Sequence, residues 1–390
     1  MNSIILEKND LSSTVSLLIK NKRTRLNMTQ KELADAIGLP KFGDRTIRRW
    51  ENNECKPSKI ELEHILNFPE EAPFQNPSTA DYTMIDLFAG IGGTRLGFQL
   101  TGRTKSIFSS EIDKFAIKTY KANYGDIPKG DITAINETDI PDHDILVGGF
   151  PCQAFSQAGK KLGFEDTRGT LFFEIARIIK AKRPKAFLLE NVKNLKGHDK
   201  GRTFKVIEST LKDMDYEVYN ALFKAKDFGV PQNRERIYIV GFDKKQIKNY
   251  ADFEFPTPLL TPTRLGNILE KKVLDKYTIS DKLWQGHQRR KAEHKRNGNG
   301  FGYSLFNEDS PYTSTISARY YKDGSEILIE QKGKNPRKLT PREASRLQGF
   351  PEKFIIPVSD TQAYKQFGNS VAVPVVNAIA KQILKVLDNQ

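Results

Sequence analysis

At 390 residues the chain has room for two or three domains, one with a sizeable core. No apolar run approaches the ~20 residues that cross a membrane, and charges cut the opening stretch too early for a secretion signal, so a cytoplasmic protein without membrane contact is expected. A net charge of +14 and a pI near 9.4 favour polyanionic partners, because cations that neutralise phosphates release counterions; the two distant cysteines, Cys55 and Cys152, offer neither a disulfide framework nor a zinc spacing, so reduced thiols and no metal are expected.

Residues 1–66 read as a small all-α unit. Val15, Leu17, Leu18 and Leu26 supply an apolar face to a first helix. Thr29-Gln30-Lys31-Glu32 has the capping-box spacing, Leu33, Ala34 and Ile37 form the buried face behind it, and Gly38 ends that helix. A third helix starts at Asp44 or Thr46, with Ile47 and Trp50 inward and Arg48 and Arg49 outward. Followed by Pro57-Ser58, this order resembles the helix-turn-helix domain of phage repressors, with a longer loop at Pro40-Lys41-Phe42-Gly43. The resemblance implies that Gln30, Thr46, Arg48 and Arg49 face duplex DNA, the helix N-terminus toward the major groove. A packing or dimerisation module is the plain alternative. Repressor-type units often pair, so a weak homodimer through this domain is an expectation.

Residues 67–82 are polar, carry Pro69, Pro73 and Pro77, and read as a linker. From 83 to 255, apolar strand cores alternate with amphipathic helices, the pattern of a parallel sheet covered on both faces. The cores are Met84-Ile85-Asp86-Leu87-Phe88, Ile145-Leu146-Val147, Ala186-Phe187-Leu188-Leu189 and Ile237-Tyr238-Ile239-Val240. Residues 256–336 change character: prolines, glycines, cations and aromatics dominate with little periodicity, as in a loop-rich insert that grips a polyanion. Residues 337–390 regain a helical pattern at Val375, Val376, Ile379, Ile383 and Leu384, and are expected to fold back beside the first strand.

Chemistry concentrates at the strand ends. Asp86-Leu87-Phe88-Ala89-Gly90-Ile91-Gly92-Gly93 closes a strand and opens a helix; its glycines let a ligand approach the backbone, and the spacing is not that of the dinucleotide fingerprint. Glu111 ends the next strand, where an acid can receive a ribose. Asp131, before Ile132, could receive an adenine amine. Together these describe an adenosine pocket without a phosphate loop, and S-adenosylmethionine is the natural candidate. Cys152 follows the third strand, in Gly149-Phe150-Pro151-Cys152-Gln153-Ala154-Phe155-Ser156, where a partly ionised thiol can attack. Glu190 ends another strand and suits acid catalysis. Gln232-Asn233-Arg234-Glu235-Arg236 brings two arginines to the last strand. Each has a plain structural reading alone: a buried thiol, a capping acid, a cationic turn.

In this order, and with Leu339-Thr340-Pro341-Arg342-Glu343-Ala344-Ser345-Arg346-Leu347-Gln348-Gly349-Phe350-Pro351 and Gln366-Phe367-Gly368-Asn369-Ser370-Val371 after them, these motifs resemble those of bacterial DNA (cytosine-5)-methyltransferases of type II restriction–modification systems. The resemblance implies an α/β fold: a Rossmann-like S-adenosylmethionine-dependent methyltransferase domain with a small target-recognition domain, preceded by the all-α helix-turn-helix unit. It implies Cys152 as nucleophile, Glu190 as the acid at cytosine N3, and Arg236 and Arg234 beside the target base and its strand. It implies a cofactor pocket of Phe88, Gly90, Gly92, Gly93, Glu111, Asp131, Ile132, Pro151, Leu171, Asn369 and Val371. Gln153, Ser156, Arg319 and Tyr320 are the implied contacts to double-stranded DNA. The stretches 297–303 and 315–324 look like those of methylases acting on CCWGG or CCNGG. Two alternatives stay open: a DNA-binding regulator with a vestigial methylase fold, and an RNA cytosine-5 methyltransferase.

Overall fold

The computed structural model describes every residue except 1, 27, 40–41, 151–170, 260, 299, 301 and 390, and only the backbone of residues 2–13. Four helices come first: α1 (Asn2–Arg25), α2 (Gln30–Ala36), α3 (Gly43–Glu51) and α4 (Lys59–Leu66). Thr29 and Ser58 each close a capping box, with Glu32 and Glu61, so two orphan backbone donors are satisfied reciprocally at both helix starts. Ile19, Leu33, Ala34, Ile47, Trp50 and Ile65 form their own core. Leu17 and Leu18, expected inside, are exposed. Val15 and Ile19, four apart, share the inward stripe, and a neighbour one or two positions away on a helix points elsewhere.

A six-stranded sheet follows. Its strands are β1 (Tyr82–Leu87), β2 (Thr104–Ser109), β3 (Ile145–Gly149), β4 (Ala186–Val192), β5 (Tyr216–Lys224) and β6 (Glu235–Asp243), in the order β2-β1-β3-β4-β6-β5. The first four strands are parallel, but β6 runs antiparallel to both β4 and β5. The uniformly parallel expectation fails there because residues 225–234 hold no crossover helix, and a short connection returns the chain antiparallel. The helices between strands are α5 (Gly93–Gln99), α6 (Lys114–Tyr124), α7 (Leu171–Lys182) and α8 (Arg202–Lys212).

Strand residues alternate between two faces. Ile145, Val147, Ala186 and Leu188 point one way, while Leu146, Phe187 and Leu189 join Ile175, Ile179, Ile207 and Leu211 on the other. Residues 256–336 hold α9 (Asp281–Arg296) and the two-residue strands β7 (Leu305–Phe306) and β8 (Leu328–Ile329). The chain then returns through α10 (Pro341–Leu347), α11 (Asp360–Asn369) and α12 (Val373–Asp388). In α12, Val375, Val376, Ile379, Ile383 and Leu384 bury against the first face, beside Met84 and Val147. The segment Asp360–Asp388 is apolar enough to cross a membrane by length and composition alone, but it is mostly buried, as a core helix is. At Gly97 on α5 a Cβ would stand 2.5 Å from Val376, so the absent side chain sets how closely these two helices approach.

Candidate active site

The sheet reverses its strand order between β1 and β3, and a crevice opens beyond the carboxyl ends of strands at such a point. Here it is a cleft of about 820 Å3. Phe88, Gly90, Gly93, Glu111, Asp131, Ile132, Leu171, Glu190, Arg234, Arg236, Arg319, Asn369 and Val371 all line it. The returning segment therefore closes the same space that the first strand opens.

One end of the cleft is built on the turn after β1. Phe88 takes φ +56°, unusual for a side-chain-bearing residue, and Gly90 and Gly92 follow at +55° and +79°. The turn is stitched to the end of β2: Ala89 N–H donates to Ser110 O at 2.9 Å and Gly90 N–H to Glu111 Oε2 at 2.8 Å. Glu111 Oε1 accepts from the amides of Ile112 and Asp113, which fixes the carboxylate at the rim. Asp131 Oδ1 caps the next turn through the Thr133 amide and hydroxyl. Ile112, 72% exposed yet on the cleft wall, escaped the sequence reading. Its signal was a large apolar residue directly after a strand-end acid. Gly92 lies behind the wall, its carbonyl accepting from the Tyr124 hydroxyl at 2.7 Å.

Beneath this turn Asp86 is fully buried, and neither carboxylate oxygen has a hydrogen-bond partner among the described residues. Burial pushes its pKa up to about 7, opposed by the Arg95 cation. An acid raised on folding prefers its protonated form in the native state, so folding stability falls as pH rises from about 4 toward 7. Asp86→Asn is expected to flatten that slope. Urea unfolding at pH 5 and pH 8 checks this, and an unchanged difference between the two would refute it.

The other end holds the acid. Gly149 pairs with Glu190 across β3 and β4, and a Cβ on Gly149 would stand 3.5 Å from Glu190 Oε2. Asn191 ties the two strand ends by donating to Phe150 O at 2.7 Å. Arg236 Nε lies 3.1 Å from Glu190 Oε1, an ion-pair contact without hydrogen-bond alignment, so Oε1 has no donor among the described residues. Burial raises the Glu190 pKa, against the lowering pull of Arg236 and then Arg234. Loss of hydration around the carboxylate is the larger effect, so the net shift is upward. The result is a carboxyl group that keeps its proton to higher pH than an exposed glutamate and has an oxygen available to a bound base. Cys152, Pro151, Gln153 and Ser156 lie outside the described residues.

One expected DNA contact is placed elsewhere, and a second spends its donors on the chain itself. Tyr320 is wholly buried; its hydroxyl donates to Ile327 O and accepts from the Leu339 amide. The run Arg319-Tyr320-Tyr321-Lys322 turns Tyr320 inward while Arg319, Tyr321 and Lys322 line the cleft. Arg234, on the cleft wall, is buried too, and donates to the carbonyls of Ile316, Gly368 and Ser370, so it clamps the segment at Ile316 to the returning one. Burial pushes its pKa down to about 9, still cationic at neutral pH. In the N-terminal unit Arg48 and Arg49 are exposed on α3 and Thr46 is half-buried. Gln30 donates to Glu51 Oε2 at 2.7 Å. The periodicity-poor residues 256–336 contain the 16-residue α9, whose Lys282, Arg289, Lys295 and Arg296 are exposed.

Residues 82–385 match the family described as C-5 cytosine-specific DNA methylase, and residues 19–69 match a helix-turn-helix family. The chain is 77% identical over 374 residues to the type II methyltransferase M1.ScrFI of Lactococcus lactis subsp. cremoris, covering 96% of both chains. It is 69% identical to the type II methyltransferase M.SsoII of Shigella sonnei, covering 97% of this chain and all of that one. Among solved structures, the S. pombe Dnmt2 methyltransferase superposes with a TM-score of 0.64 at 18% identity, over 79% of this chain and 99% of that one, a likeness of fold.

Proposed function

The chain belongs to the C-5 cytosine-specific DNA methylases of type II, with a helix-turn-helix domain at its N-terminus, and from that premise we propose that it moves a methyl group from S-adenosylmethionine to C5 of a flipped cytosine in a short duplex site. The inner cytosine of CCNGG or CCWGG is the proposed target, and protection from a cognate restriction endonuclease in the bacterial cytoplasm the proposed purpose. The observation that carries this reading is one cleft that joins a strand-end acid, Glu111, to a desolvated acid beside two arginines, Glu190.

The cleft suits the cofactor. Phe88 and Ile112 offer apolar surface for adenine, Glu111 and Asp131 offer carboxylates for ribose and the adenine amine, and Leu171, Asn369 and Val371 line the remaining wall. S-adenosylmethionine, when bound, supplies an electrophilic methyl group. The chain's residues make C5 able to take it. C5 of cytosine is a poor nucleophile, and the Cys152 thiolate, adding to C6, turns it into an enamine carbon. Glu190 gives its proton to N3 as the thiolate adds, so negative charge does not build up on the ring. Arg236, 3.1 Å from Glu190, holds the acid in place and faces the base beside it. Loss of the C5 proton to a base, departure of the Cys152 thiolate and return of the N3 proton to the Glu190 carboxylate then restore the neutral aromatic ring and the acid. A stacked cytosine cannot reach these groups, so it is flipped out at a cost of a few kcal/mol. The exposed cations of α9 meet phosphates flanking the site.

A duplex substrate fits better than RNA because a second DNA-reading unit, residues 1–66, is joined to the enzyme. That unit is not needed for the chemistry. We propose that it binds operator DNA, as a weak homodimer, and represses the chain's own restriction–modification genes. Bisulfite mapping of DNA from cells expressing the wild type and Cys152→Ala tests the enzyme activity: new 5-methylcytosine at CCNGG sites is expected only with the wild type, and its absence there sinks the reading. Footprinting upstream of the gene tests the second role, where no protection by the full chain counts against repression.

A further inference from the structure

Residues 74–76 precede the sheet and were expected to be linker, yet they are packed onto the edge strand and the helices behind the cleft. Phe74 is buried, its amide donates to Asn123 O at 2.9 Å, and its ring lies 6.1 Å from those of Tyr124 and Phe354. Asn76 pairs with the edge strand β2 as a strand residue would: its Nδ2 donates to Ser106 O at 2.7 Å and its Oδ1 accepts from Ser106 N at 2.9 Å. The same Oδ1 accepts from Arg95 Nη2 at 3.0 Å.

Arg95 is 1% exposed, on the helix that the cofactor turn opens. Its Nη1 donates to Asp126 Oδ2 at 2.6 Å and to the Tyr120 hydroxyl at 3.0 Å, and its Nε to Gln99 Oε1 at 3.2 Å. Gln99 in turn donates to the carbonyls of Phe74 and Gln75. The guanidinium lies 4.4 Å from the centre of the Tyr124 ring, and the Tyr124 hydroxyl holds the Gly92 carbonyl of the turn. Gly92 is at φ +79°, and a Cβ there would stand 2.3 Å from that ring. A continuous chain of contacts thus runs from residues 74–76 through Arg95 and Tyr124 to the turn that lines the cleft. A buried guanidinium tolerates little loss of partners, since each donor left unmade keeps its full desolvation cost.

We propose that residues 74–76 are a strap that sets the cofactor turn, with Arg95 as the positioning residue between them. The inference rests on the reading of the cleft as an S-adenosylmethionine site. Glu190 and Arg236 sit on β4 and β6, away from the strap, so the strap acts on cofactor affinity and leaves the chemical step alone. The last helix of the N-terminal unit ends at Leu66, but Glu70 still pairs with Lys22 and Arg25 of α1, so only residues 71–73 separate that unit from the strap.

The test measures S-adenosylmethionine affinity of the full chain by calorimetry, together with kcat at saturating cofactor and affinity for a CCNGG duplex. Asn76→Ala is expected to weaken cofactor binding about tenfold, as the bond to the buried Arg95 and the two bonds to Ser106 are lost together, with kcat and DNA affinity within about twofold of wild type. Asn76→Asp keeps the acceptor for Arg95 and Ser106 N but loses the donor to Ser106 O, and is expected to recover only part of that affinity. Replacing residues 71–73 by a Gly/Ser run of equal length is expected to leave cofactor affinity unchanged. Wild-type affinity in Asn76→Ala overturns the strap, as does an equal fall in cofactor affinity, kcat and DNA affinity, the mark of general destabilisation. A wild-type chain that does not bind S-adenosylmethionine overturns the reading of the cleft instead.

Discussion

Glu190→Gln is expected to slow methyl transfer by a factor on the order of 10²–10⁴, the usual contribution of a positioned acid, while cofactor affinity stays near wild type. The side chain keeps its size and one hydrogen-bonding oxygen, so the cleft keeps its shape. The variant loses the one group that can give a proton to N3 as Cys152 adds. Without it the adduct carries its charge on the ring and reverts. Arg236, 3.1 Å away, then faces a neutral amide and cannot replace the proton. The direction of the pKa shift adds a second mark. Burial holds the Glu190 proton to higher pH than in an exposed glutamate, so wild-type turnover falls as pH rises through that raised value, and Glu190→Gln loses this limb. Single-turnover rates from pH 6 to 9 check both; a variant within tenfold of wild type, with the same pH profile, would remove Glu190 from the proposed chemistry.

Gly368→Ala is expected to lower kcat/KM for DNA methylation more than 100-fold and to lower the melting temperature. A Cβ at Gly368 would stand 2.3 to 2.4 Å from the Ser317 carbonyl and the Ala318 amide. These are backbone atoms, so no rotamer change relieves the overlap. Arg234 also holds the spot from the side, donating to Ile316 O and Gly368 O, so the two segments cannot part without breaking its contacts. Overpacking of this kind costs about 1–3 kcal/mol. The strain falls between Arg319 on one side of the cleft and Asn369 and Val371 on the other, so cofactor and DNA contacts move together. Thermal melts with steady-state kinetics check it. Unchanged activity in a folded Gly368→Ala chain would show that the close approach does not matter.

The parts legible in the sequence are those where local pattern and tertiary role coincide. Glu111 and Glu190 were found because each ends an apolar run, and strand ends at a sheet reversal converge in space. Thr29 and Glu32 were found because a capping box is entirely local. Other features depend on distant partners. Tyr320 resembled a DNA-facing aromatic among cations, but the carbonyl of Ile327 and the amide of Leu339 draw its hydroxyl into the core. Arg234 looked like its neighbour Arg236, and only the fold brings three carbonyls to it. The strand β5 was missed because its alternate residues are only partly buried, which dilutes the apolar signal. The prolines around residues 74–76 signalled a linker, while Asn76 pairs with an edge strand thirty positions later. The cations of α9 hid its helix because it buries so little apolar surface.

The central claim is that Cys152 attacks C6 of a flipped cytosine so that C5 can accept the methyl group. A CCNGG duplex carrying 5-fluorocytosine at the inner position tests it most directly. After methyl transfer, fluorine in place of the C5 hydrogen cannot leave as a proton does, so the thiolate cannot depart and the enzyme stays bonded to the DNA. A denaturation-resistant complex of chain and duplex is expected, dependent on S-adenosylmethionine and absent with Cys152→Ala. No such complex with the wild-type chain, or one that persists in Cys152→Ala, would contradict that claim.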